Sequence, residues 1–161
     1  LDDEAANYHI AQLLYFQIQA PEEPIRILVN TEGGSVTATL AILDTIEFVS
    51  CPIYTFGEHS SNIAVVVLAS GTKGHRYMRQ NSSLEFGYYH WTQDEPPKEE
   101  DLELYSVVTL QVAQKLASYT QLSEELAQKL MNSGRSFSYA EALEAEIVDH
   151  VVDEWPSADW A

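Results

Sequence analysis

At 161 residues and 18.1 kDa, with 45% hydrophobic residues, the chain suits one domain with a sizeable core. Eight basic against 25 acidic residues leave a net charge of −17. That charge repels phosphate backbones and anionic lipid surfaces, which argues against nucleic acid and membranes as partners. The single cysteine, Cys51, excludes an intrachain disulfide and a cysteine-based zinc cluster and suits a reducing compartment.

The chain opens at Leu1 already in a helical pattern and shows no signal sequence, which is compatible with a missing N-terminal segment. Asp2-Asp3-Glu4 places acids at a helix start, and Ile10, Leu13, Leu14 and Ile18 follow at helical spacing until Pro21. This predicts an amphipathic helix over residues 3–19. After the turn at 21–24, the β-branched run 25–30 reads as a buried strand that delivers Asn30-Thr31-Glu32-Gly33-Gly34-Ser35-Val36. Its paired glycines let the backbone approach a ligand and direct N–H groups at it, as an oxyanion hole requires. Val36, Leu40, Leu43, Ile46 and Val49 form the next helical face, which ends before Pro52.

Residues 53–56 read as the next strand and 61–70 as a helix buried all round, because it is apolar all round. Between them lies Gly57-Glu58-His59-Ser60-Ser61-Asn62-Ile63-Ala64, read as a strand-to-helix corner. A serine there would sit at a helix N-terminus, where free N–H groups stabilise developing negative charge. An N-cap role for Ser61 is the simpler reading. The longest purely apolar run, 63–69, falls far short of the roughly 20 residues of a membrane span.

Gly71-Thr72-Lys73-Gly74 is a turn, too short and misplaced for a phosphate loop. Residues 75–78 and 83–88 read as two further strands, and 92–100 as an exposed loop. A long helix is predicted over 101–119, a shorter one capped by Ser123 running to Met131, a last helix over 139–145 and a last strand over 147–152. The fold class is therefore α/β, a single domain over 1–152 with a C-terminal tail over 153–161.

The glycine corner, the stretch from Gly57 to Ala64, Ala69-Ser70-Gly71-Thr72-Lys73-Gly74-His75-Arg76-Tyr77, Asn81-Ser82-Ser83, and Tyr139-Ala140-Glu141-Ala142 through Ile147-Val148-Asp149 occur in one order along the chain. Together they resemble the Clp protease proteolytic subunit (ClpP) family. The resemblance implies the ClpP/crotonase fold of repeated ββα units and a heptameric ring stacked on a second through the long late helix. It also implies a Ser-His-Asp triad cutting unfolded polypeptides fed by a ring ATPase. Carried over residue by residue, it makes Ser61 the candidate nucleophile and Gly33, Gly34 and the Asn62 N–H the oxyanion hole.

Glu32 stands where the family has proline, adding a carboxylate near the oxyanion corner. The base position falls on Gly87 and the acid position on or beside Gly134, so both triad partners are lost. The resemblance is thus to a degenerate-triad, ClpR-like member: a structural ring subunit, impaired or non-catalytic, in a homo- or hetero-oligomeric barrel. No cofactor or metal is implied. The expected compartment is the cytoplasm, or the plastid stroma in a eukaryote.

An alternative is an active serine endopeptidase whose base has moved, with His90 as the substitute. His59 lies only two residues from Ser61, but a corner would point the two in different directions. A third reading is a crotonase-like acyl-CoA enzyme, for which eight basic residues offer few phosphate partners.

Overall fold

The computed structural model describes residues 1–87 and 99–154. Helix α1 (Asp3–Gln19) leads into strand β1 (Ile25–Thr31), helix α2 (Val36–Phe48), strand β2 (Ile53–Ser61), helix α3 (Ala64–Ala69) and strand β3 (Arg76–Phe86). Then come helices α4 (Glu99–Tyr119) and α5 (Glu124–Met131), strand β4 (Arg135–Phe137), helix α6 (Tyr139–Glu144) and strand β5 (His150–Val152). Tyr88, Tyr89 and His90, residues 92–98 of the expected loop and the tail from Trp155 lie outside the described residues.

The strands form one five-stranded sheet in the order β1-β2-β3-β4, with β5 beside β3. Pairs β1–β2, β2–β3 and β3–β5 are parallel, and β3–β4 is antiparallel. Parallel neighbours need a crossover, and α2 and α3 supply it, so the α/β class follows from the alternation of strand and helix patterns. All six residues of α3 are buried, as a helix apolar on every side must be. Ser123 caps α5 as expected, its Oγ accepting from the Leu126 N–H, and Ser35 caps α2 with Oγ accepting from the Ala38 N–H.

Several boundaries differ from the sequence expectation. Strand β2 continues to Ser61 instead of ending at Phe56, and α3 begins only at Ala64. Polar residues 58–61 concealed this continuation, because pairing with β1 and β3 holds them extended irrespective of apolar content. The two strands expected over 75–88 are one strand with an irregularity. Its register against β2 passes from Gly57↔Met78 to His59↔Ser83. Ser82 Oγ accepts the Arg79 N–H and donates to the Gly57 carbonyl, which satisfies the backbone across the bulge. Strand β4, only three residues long, carried no periodic signal.

One buried cation organises the core's far end. The Arg76 side chain is 1% exposed and pairs with Asp149 at 2.6 Å, while Nη1 donates to the Tyr119 carbonyl at 2.8 Å. The Asp149 carboxylate also accepts the Gly74 and Arg76 N–H groups. Burial opposes charge on Asp149, but the guanidinium and these N–H groups outweigh it and hold its carboxyl below the ordinary carboxylate range.

Candidate functional site

The two glycine- and serine-bearing corners meet at the C-terminal ends of β1 and β2. Gly33, at φ 110°, lies so close to β2 that a Cβ there would come within 3.3 Å of both Asn62 Cβ and the Ser61 carbonyl oxygen. Gly34, at φ 148°, is covered by the backbone of Leu1, whose carbonyl accepts the Ser35 N–H. Leu1 N in turn donates to the Gly33 carbonyl. The backbone geometry therefore demands both glycines. Glu32, beside the corner, is exposed.

Ser61 is 6% exposed and closes β2. It does not cap α3, whose N-cap position is Ile63 and which has no side-chain cap. Its Oγ lies 3.3 Å from His59 Nε2, and His59 Nδ1 lies 2.5 Å from Ser83 Oγ. The expectation that His59 and Ser61 diverge is corrected by the strand: residues two apart on an extended chain share a face. The signal available in the sequence was the His-x-Ser spacing, which serves only once 59–61 is read as strand. With the proton on Nδ1, Ser83 accepts from the ring and Nε2 accepts from the Ser61 hydroxyl. Glu85 is Ser61's register partner on β3, so a carboxylate-bearing residue stands beside the serine.

The oxyanion donors named from the sequence are engaged or covered. The Asn62 N–H donates to the Glu85 carbonyl at 2.7 Å, and the Gly33 N–H reaches Thr31 Oγ1 at 3.3 Å. Strand pairing at the end of β2 thus engages the Asn62 N–H, which was expected as an oxyanion donor.

Gly87 and Asn62 meet just beyond the end of β3. The antiparallel register of β3 with β4 runs Leu84↔Phe137, Glu85↔Ser136, Phe86↔Arg135, and Gly134 immediately precedes β4 at φ 65°. A Cβ on Gly87 would fall 2.2 Å from Asn62 Oδ1. The residue facing position 87 is thus Asn62, while Ser61 engages His59. Asn62 sits at φ 56°, the left-handed bend by which β2 turns into α3. His90, the substitute base, lies outside the described residues.

Residues 1–155 match the family model described as Clp protease. The chain is similar to an ATP-dependent Clp protease proteolytic subunit of Bdellovibrio bacteriovorus, at 41% identity over 83 residues. That match covers 51% of this chain and 39% of the relative, so the chain spans well under half the length of the curated relative it matches. Among the described residues, no helix is long and apolar enough to cross a membrane.

Proposed function

The chain belongs to the Clp protease family, and we propose that within it this protein is a non-catalytic structural subunit of a ring-shaped proteolytic barrel. The observation that carries this reading is the pairing of Gly87 with Asn62. The resemblance assigns the triad base to position 87, and the side chain facing that position is an amide that cannot act as a serine nucleophile. The acid position falls on or beside Gly134, and residues 133–136 around it carry no carboxylate either. Further support comes from the engaged N–H groups of Asn62 and Gly33, a poor setting for a developing oxyanion.

Assembly is supported by apolar side chains left in solvent. Ile18 is 75% exposed, Phe48 71% and Leu28 59%, which suits packing against a neighbouring subunit. In this reading residues 1–152 are one ring-forming unit and 153–161 its tail. The ring is made with copies of this chain or with catalytic Clp-type subunits, and a ring ATPase and unfolded polypeptide are partners of the whole barrel. The compartment we infer is the cytoplasm or plastid stroma. Native mass measurement of the purified chain, alone and mixed with catalytic subunits, tests the assembly. Ring-sized species containing this chain are expected. A monomer that joins nothing would overturn the proposal.

A second reading, an active serine endopeptidase working through Ser61, is favoured by one observation, the 3.3 Å approach of Ser61 Oγ to His59 Nε2. It predicts peptide hydrolysis that Ser61→Ala abolishes. A crotonase-like use of acyl-CoA has less support, since Lys73, Arg76, Arg79, Lys115, Lys129 and Arg135 are already ion-paired within the chain.

A further inference from the structure

Asn62 is tied to the surrounding elbow at two points besides its own peptide. Its backbone N–H is held by Glu85, and its side-chain Nδ2 donates to the Glu32 carbonyl at 3.0 Å, joining the β1 corner to the end of β2. The amide then lies directly over Gly87. A Cβ at position 87 would meet Oδ1 at 2.2 Å, Cγ at 3.1 Å and Nδ2 at 3.4 Å. The first of these lies far inside van der Waals contact. Relieving it means rotating the amide at the end of the asparagine side chain, which breaks its bond to Glu32. Oδ1 itself is buried and has no hydrogen-bond partner among the described residues. An unpartnered buried acceptor is costly, so the amide is held by its Nδ2 bond and by the fit over glycine, and Oδ1 gains nothing in return.

We propose that Asn62 and Gly87 are a matched pair in which the asparagine amide fills the space a side chain at 87 would need and staples the glycine corner to the β2 elbow. Each residue then fixes the other. Position 87 accepts no side chain while Asn62 is present, and the amide has a seat only because 87 is glycine. The space at position 87 is therefore closed by a fitted plug, and a histidine introduced there alone would meet the amide. This deepens the non-catalytic reading, but the fit itself is a matter of packing and can be tested without any activity.

The test is a double-mutant cycle on the whole chain, read by thermal unfolding. Asn62→Gly is the informative partner, because φ 56° suits glycine and strains alanine. Gly87→Ala is expected to lower Tm by several degrees in the natural background and to change it by no more than about 2 °C in the Asn62→Gly background. If Gly87→Ala alone fails to fold, recovery of a cooperative transition in the double variant supports the pair. Equal losses in both backgrounds, no loss in either, or a double variant that also fails to fold overturns it. Phosphonate labelling of the unsubstituted chain is scored separately: reactivity there would defeat the non-catalytic reading while leaving the Tm cycle to decide the packing.

Discussion

Ser61 Oγ lies 3.3 Å from Nε2 of His59, two residues earlier on the same strand, and not against the position from which a family base would act. The contact is one hydrogen bond in a short polar string that ends at Ser83. As a structural bond it is worth little. Ser61→Ala is expected to lower unfolding free energy by about 0.5–1.5 kcal/mol in urea titration and to leave assembly mass unchanged.

Restoring a histidine at position 87 alone should not create a reactive serine. Its ring would meet the Asn62 amide, not a hydroxyl. Gly87→His is expected to be less stable than the natural chain and unlabelled by a fluorophosphonate. Labelling at Ser61 in that variant would mean that position 87 reaches Ser61 after all.

Much of this arrangement was legible from residue order. Helix α1 falls on the residues its periodicity predicts, and α5 starts and stops at its expected cap and glycine turn, since local propensity and capping act within a few residues. The paired glycines Gly33 and Gly34 and the glycine at 87 also stand out in the sequence. What residue order concealed was the length of β2. Glu58, His59, Ser60 and Ser61 look like a corner in sequence, and only pairing with β3 makes them a strand. From that single misplacement followed the misjudged direction of His59 and the N-cap reading of Ser61. The facing of Asn62 and Gly87 depends on a register 25 residues apart and had no local signal.

The Arg76–Asp149 pair predicts an acid-sensitive contribution to stability. The folded-state pKa of Asp149 lies below the ordinary value of 3.8. Its contribution is therefore fully present above that value and is lost as pH falls through the lower folded value. The stability difference between the natural chain and Asp149→Asn, followed from neutral to strongly acid pH, should be flat and then shrink below that range. With Arg76 1% exposed, the variant leaves a buried cation under-compensated, and the neutral-pH loss is expected to be about 3–5 kcal/mol.

Helix α6 begins at a reciprocal cap in which Ser138 Oγ accepts the Glu141 N–H and the Glu141 carboxylate accepts the Ser138 N–H. Ser138→Ala is expected to cost about 0.5–2 kcal/mol, measured by urea unfolding, without altering ring assembly.

The most direct measurement is intact mass of the purified, folded and assembled chain after exposure to a fluorophosphonate, with Ser61→Ala alongside. A structural subunit should keep its unmodified mass in both proteins. A phosphonate adduct on the natural chain that disappears in Ser61→Ala would contradict the non-catalytic reading, and His59 would become the base to test.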